Sequence, residues 1–389
     1  MSGIWRSSAL ALAFLLCACS TGAPGAPGAA PVAAKPTCDD DPWSAGSDEP
    51  LPADRVGDWR HVRTFTDGRP ADMTVLRDGT VWVVGAGDVA LKPYVDEERG
   101  CLAVNDTESR GRVWRLDAGT WRLVTPPRTC ADSLTGVDAA ADGSIWVFGA
   151  RQTEDGADQP CAARWDGTSW AERTLPMEPD AELAAGSAEL WTIDRERPTQ
   201  LVGGKIFRHE PVAEAGLLAR GRDGAVWVAG TRGAGRVQVA RRDRGAWRRL
   251  PDLILPRLRE YTKPWLELDG TVVTAPDDVW VVAHLSWYAE DESEPGRQIL
   301  ARWNGSAWSS RMGEEIVPIG SGEIVSDGDG GVWLADLDHG GLEHVTGGRR
   351  EPVTLPAPTR DGGTDLRLSQ RPGSREVWAL DDQNLWSTR

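Results

Sequence analysis

The feature that most constrains this chain is a tryptophan that recurs inside a short apolar core, usually after a Gly or Asp turn. It stands at Trp82, Trp146, Trp191, Trp227, Trp280, Trp333 and Trp378, with spacings of 64, 45, 36, 53, 53 and 45 residues. The unit around Trp146 is the clearest. Asp142-Gly143 and Asp166-Gly167 are turn dipeptides flanked by β-branched and aromatic residues. Gly supplies the positive φ that a two-residue hairpin turn needs, and Asp tolerates it. Strands are therefore expected at 137–140, 144–149, 161–165 and 169–175, each of ordinary strand length. No stretch after residue 19 shows a sustained 3.6-residue apolar period, so the fold class expected is all-β.

Seven repeats of this size, each with four strands, predict a seven-bladed β-propeller. Asp-Gly precedes the Trp at Asp78, Asp142, Asp223 and Asp329; Asp277-Asp278 stands near Trp280, and blades 3 and 7 have lost the dipeptide. The turns between third and fourth strands carry Gly119, Gly167, Gly203-Gly204, Gly245, Gly305 and Gly347-Gly348. Trp121, Trp170, Trp247 and Trp308 follow them in blades 1, 2, 4 and 5. Blade 7 ends after a third strand at 384–387. The segment 56–62 reads like a fourth strand, with Trp59 in the place of Trp170, so the last blade is expected to close by pairing the two ends of the domain. Such closure removes two open sheet edges.

Asp-Gly-x-[Val/Ile]-Trp-Val alternating with Arg-Trp-[Asp/Asn]-Gly-x-x-Trp resembles bacterial β-propeller repeat proteins of the BNR/Asp-box, kelch and two-component-regulator kind, over roughly residues 56–389. In the sialidase Asp-box, Gly lies two and Trp five residues after the Asp; here they lie one and four after Asp166. The resemblance implies a fold and little about activity.

Residues 1–19 read as a leader: Arg6, then an apolar run at 9–17 too short to span a bilayer. Leu16-Cys17-Ala18-Cys19 resembles a bacterial lipobox, with Leu at −3 and a small residue at −1. That resemblance implies Cys19 as the acylated mature N-terminus, and a triacyl anchor would hold far better than one chain. Ser20 lacks the Asp that resembles an inner-membrane retention signal, so an outer-membrane address is expected, on its periplasmic face or the cell surface. The Gly/Ala/Pro-rich tether at 20–37 cannot bury a core. Residues 20–55, with the acidic lead-in Asp39-Asp40-Asp41, are assigned as tether and 56–389 as propeller.

Composition excludes several classes. The formal charge is −16, and removing a leader that carries only Arg6 leaves 42 basic against 59 acidic residues, a net of −17. Such a surface repels nucleic acid, so no nucleic-acid partner is expected. Five scattered His without paired spacing predict no metal, and no cofactor is expected because P-loop, dinucleotide and Gly-x-Ser-x-Gly fingerprints are absent. Twenty Trp against three Tyr and four Phe suggest a structural position that demands indole. Export would leave Cys38, Cys101, Cys130 and Cys161 in an oxidising compartment. Topology puts Cys101, Cys130 and Cys161 at one face of blades 1 and 2. At least one bridge is expected among them, favourably one using Cys130, with Cys38 taking the remaining partner.

Antiparallel topology also sorts the loops. First-to-second and third-to-fourth turns share one face and are short. Second-to-third and blade-to-blade loops share the other, and hold the long insertions 87–110, 126–134, 150–160, 251–269 and 283–297. Function collects on long loops carried by a rigid scaffold. These loops hold every Tyr, and the candidate ligand-binding set is Tyr94, Asp96, Glu97, Tyr261, Trp265, His284, Trp287, Tyr288 and Glu290. Loops of blades 1 and 5 could meet only by leaning over the central channel. Arg241, Arg242, Arg244, Arg248 and Arg249 read as charged residues guarding an outer edge. The expectation is a non-catalytic, monomeric binding or scaffold protein whose partner is an envelope protein or glycan, and which touches the membrane by its lipid alone. The alternative is a glycan- or peptidoglycan-acting enzyme with acid/base residues at the channel mouth.

Overall fold

The structure is a computed structural model that describes residues 54–87, 91–96, 101–106, 110–140, 142–153, 157–175, 183–185, 189–255, 261–288, 295–314, 323–336, 341–353, 366–381 and 383–389. Cys19, Cys38, Glu97 and Glu290 lie outside the described residues, as do the side chains of Tyr94, Asp96 and Cys101. The protein is all-β: seven blades of four antiparallel strands form a ring. The one helical turn among the described residues is the 3₁₀ segment Arg128–Cys130.

Blades 1 to 6 each run in chain order from first to fourth strand. Blade 2 is typical, with Ser133–Ala139, Ile145–Gln152, Asp158–Trp165 and Trp170–Thr174. Blade 5 is the largest, with Trp265–Ala275, Asp278–Ser286, Gly296–Trp303 and Trp308–Met312. Blade 3 is small; its first strand is only Leu183–Ala185 and its fourth is Lys205–Arg208. Blade 4 (Ala215–Arg220, Val226–Thr231, Arg236–Asp243, Ala246–Arg249) carries an added strand, Leu253–Ile254, on its third. Blade 1 consists of Arg69–Val75, Val81–Gly87, Arg110–Asp117 and Thr120–Val124. Between its second and third strands, Leu91–Asp96 pairs with Cys101–Asp106 in a ribbon, and residues Pro93–Val104 belong to a separate compact unit.

The ring closes where the sequence placed the closure. Trp59–Thr64 pairs with Asn384–Ser387 as the fourth strand of blade 7, with Arg60 opposite Ser387 and Thr64 opposite Asn384. Phe65 donates its backbone N–H to the Gln383 carbonyl at 2.7 Å. Trp59 is fully buried and packs edge-on against Trp333 of blade 6, with ring centroids 5.2 Å apart. Trp170 meets Trp82 of the preceding blade, and Trp247 meets Trp191, in the same arrangement. The first strands abut one another in succession, and Arg367–Gln370 of blade 7 abuts Arg69–Val75 of blade 1.

The repeated motif is a turn, an ion pair and a buried indole held together. In blade 2, Asp142 accepts the Ser144 backbone N–H at 3.0 Å with one oxygen and pairs with Arg164 at 2.6 Å with the other. Arg164 stands opposite Trp146 in the ladder. The same geometry joins Asp223, Arg241 and Trp227, with the Arg241 guanidinium 5.6 Å over the indole. In blade 5, Asp278 takes both nitrogens of Arg302, which lies 4.8 Å over Trp280. Blade 6 substitutes His344, stacked 4.4 Å from Trp333 and 3.0 Å from Asp327. Cation–π contact with a half-desolvated guanidinium stabilises the blade 4 and blade 5 arrangements by about 0.5–2 kcal/mol each. Blades 3 and 7, which lack Asp-Gly, use Glu189 and Glu376 instead; each accepts the indole N–H of the Trp two residues on. The second turn is built similarly. Asp166 accepts from the backbones of Thr168 and Ser169, which holds its pKa down at about 2, and Asn304 does the same work in blade 5.

The blade 4 arginines are only partly edge residues. Arg241 and Arg242 lie on the third strand, half-buried, and Arg242 covers Trp191 of the neighbouring blade at 4.8 Å. The disulfide using Cys130 is present: Cys130 and Cys161 are joined, with Cα atoms 5.7 Å apart, and tie the link between blades 1 and 2 to the third strand of blade 2.

Candidate functional site

Blade 5 brings its candidate residues together at its long-loop end. The first strand begins at Trp265 and the second ends at Ser286, and these two face each other in the ladder. Chain leaving the second strand returns over the start of the first, because Tyr288 donates its backbone N–H to the Thr262 carbonyl at 3.2 Å. Two aromatic pairs result. Tyr261 and Trp287 lie 4.2 Å apart, and Trp265 and Tyr288 lie 5.0 Å apart. Their exposures divide their roles. Trp287 is buried and Tyr261 packs against the blade 4–5 core, so this pair anchors the loop. Trp265 is half-buried and Tyr288 is 47% exposed, so this pair presents ring surface to solvent.

Beneath the aromatics sits a charge clamp. Glu267 and His284 are directly opposite in the ladder, and a bulge follows Leu268. The bulge adds Asp269 to the strand and turns its carboxylate onto the same imidazole. His284 Nδ1 meets Asp269 at 2.8 Å and Nε2 meets Glu267 at 2.9 Å. Burial alone would lower the His284 pKa, but the hydrogen bond and charge of Asp269, with Glu267, outweigh it and raise the value above 6.5. Burial raises Asp269, against the pull of His284. The second Asp269 oxygen is buried without a hydrogen-bond partner. Both ring nitrogens of His284 are spent on carboxylates, so neither offers a lone pair to a metal. Among the described residues no cluster of His, Cys, Asp or Glu has the makings of a metal site.

Of the candidate set, Tyr261, Trp265, His284, Trp287 and Tyr288 are thus one neighbourhood. Glu267 and Asp269 complete it and were missed by sequence reasoning. Strand alternation gives Glu267 a face, but a bulge leaves no mark that would distinguish Asp269. The channel carboxylates were missed too. Asp72, on the first strand of blade 1, accepts the backbone N–H of Val137 in blade 2 at 2.7 Å. Glu323 before blade 6 accepts the backbone N–H of Leu368 in blade 7 at 2.8 Å and pairs with Arg367 at 3.0 Å. Burial, reinforced by the nearby Glu323 charge, pushes Asp72 up to about 7. These groups staple neighbouring blades around the channel.

No protein-family model and no curated protein matches the chain. Solved structures match it across most of its length. The N-terminal domain of Nup159 is 10% identical with a TM-score of 0.51, over 86% of this chain and 97% of that one. The WD40 β-propeller domain of Doa1 is 10% identical with a TM-score of 0.50, over 86% of this chain and 98% of that one. An ulvan lyase, a polysaccharide lyase, is 11% identical with a TM-score of 0.45, over 84% of this chain and 95% of that one. At these identities the likeness shows the fold alone: the protein is a seven-bladed β-propeller.

Proposed function

We propose that this is an exported, lipid-anchored binding propeller without catalytic activity, whose ligand docks at the long-loop end of blade 5. The observation that carries the reading is the exposed Trp265–Tyr288 pair held above the Glu267–His284–Asp269 clamp. Aromatic faces beside fixed polar groups are the usual makings of a recognition site, and the faces of paired rings suit the apolar side of a sugar or a protein side chain. The partner is an envelope glycan or protein. An enzyme reading draws on the raised Asp269 as an acid near Glu267. It is disfavoured because both carboxylates are engaged by one imidazole, whereas glycoside chemistry needs two carboxyl groups free to flank the scissile bond.

The test is an array of envelope glycans and peptides probed with wild type and with a Trp265→Ala/Tyr288→Ala variant. Loss of the wild-type signals by a variant that melts like wild type supports the site. An unchanged binding profile sinks it, and conversion of a bound glycan to product would establish the enzyme reading instead. The anchor rests on Leu16, Ala18 and Cys19 and on the Gly/Ala/Pro tether that follows. Intact mass of the membrane-fraction protein should show a lipidated N-terminal Cys19; a wild type without lipid mass refutes the anchor.

A further inference from the structure

A concavity lies between blades 3 and 4, on the side of the second-to-third turns. It has a volume of about 430 Å³ and is walled by Arg195, Glu196, Glu214, Arg232 and Arg249 over a floor that includes buried Val212. Backbone conformation singles it out. Arg195, Glu196 and Glu214 have φ of 49°, 62° and 40°, three of the six left-handed non-glycine residues among those described. Arg195 and Glu196 are the two central residues of a hairpin joining Asp194 to Arg197. Positive φ at both positions is the place for Asn-Gly, and long charged side chains sit there against the backbone's own preference. Strain maintained at residues that line one cleft points to a use for their side chains.

The cleft's polar groups divide into spent and available. Arg197 is paired with Glu210 at 3.2 Å. Arg249 Nε donates to the Pro211 carbonyl. Gln238 accepts the Ala213 N–H at 3.0 Å and donates to Asp252. Arg195 and Arg232 are exposed and form no ion pair among the described residues. Glu214 receives one hydrogen bond, from Thr231 at 3.1 Å, and retains acceptor capacity beside Glu196. The concavity therefore offers guanidinium and carboxylate groups together above an apolar floor, on a chain whose net charge is −16.

We propose that this cleft binds a free, zwitterionic short peptide or amino acid. Its carboxylate would be held by Arg195 and Arg232 and its ammonium by Glu196 and Glu214. A simple anion would meet the glutamates and a simple cation the arginines; a ligand with both charges meets a partner at each end, and charge-assisted hydrogen bonds reward that match. The site is separate from blade 5 and does not depend on it.

The experiment is calorimetry on the full-length protein in detergent with tetra-alanine, its N-acetylated form and its C-terminal amide. Tetra-alanine should bind, and each cap should weaken binding roughly tenfold or more, the scale of one charge-assisted contact. Arg232→Ala should weaken it similarly without changing the melting temperature. An Arg195→Asn/Glu196→Gly variant relaxes the turn, so it should melt higher than wild type while losing the ligand. Trp265→Ala/Tyr288→Ala should bind tetra-alanine like wild type. Absence of tetra-alanine binding, equal affinity for the capped peptides, or undiminished binding by the relaxed-turn variant would overturn the proposal.

Discussion

The two ends of the blades use the same residue types to opposite purposes. At the short-turn end, Trp146, Arg164 and Asp142 satisfy one another: the indole is buried, the guanidinium stands opposite it, and the carboxylate closes the turn. At the long-loop end of blade 5, Trp265, Tyr288, His284 and Glu267 form an equally local cluster, yet Tyr288 is 47% exposed and Asp269 keeps a buried oxygen without a partner. The difference is ring exposure. A cluster that buries its indole and spends its carboxylate on a turn and a guanidinium holds the fold; one that leaves ring faces in solvent has capacity left for a ligand. Counting tryptophans cannot separate the two, but their exposure can.

Substitutions at the two ends should therefore part company. The largest effect tests the frame that both ends share. Deleting residues 56–66 removes the strand paired with Asn384–Ser387 and should cost roughly 5 kcal/mol or more, most of a typical domain's stability. Deleting 20–37 should leave the melting temperature unchanged. Equal melting temperatures for the two deletions would break the circular account. Next, Trp146→Ala empties a fully buried site and should cost about 3–5 kcal/mol in denaturant titration. Trp265→Ala should cost under about 1 kcal/mol, because its ring is already partly in water. A comparable loss at both positions would erase the contrast.

Much of the first end was legible in the sequence. Asp-Gly before an apolar–Trp–apolar core names a turn and a buried strand from local chemistry alone, and the third strand at 384–387, followed by no fourth, pointed to its partner near Trp59. The closing strand begins three residues later than expected, at Trp59, because Arg55–Val56 folds back as a short extra strand. The second end was legible only as a face. Long insertions and tyrosines marked it, but the convergence of Glu267, Asp269 and His284 depends on ladder register and one bulged residue. Asp72 and Glu323 were illegible because they contact blades distant in sequence, through geometry that belongs to the ring. Arg195-Glu196 hid for the opposite reason: its sequence looks unlike a tight turn, and only the left-handed backbone exposes it.

Smaller effects sharpen the comparison. Asp142→Ala removes a part-exposed ion pair and a turn acceptor, so it should cost no more than about 1 kcal/mol, and less at high salt. His284 has its pKa raised in the folded protein. Its stabilising contribution is complete below its ordinary value near 6.5 and is lost as pH rises through the raised value. Asp269 is also raised, and its contribution is already being lost above 3.8. The melting temperature should therefore fall as pH rises above about 6.5 through His284, and His284→Gln should flatten that fall. An unaltered pH profile in the variant would show that the clamp is not formed.

The most direct measurement is hydrogen exchange with a ligand bound, using whichever glycan or peptide the array selects. Separate ends for stability and recognition predict that ligand protects the backbone amides around 261–269 and 284–288, while the turns at Gly143, Gly167 and Gly305 exchange as in the free protein. Protection confined to those turns, with blade 5's long-loop end unaffected, would contradict the account.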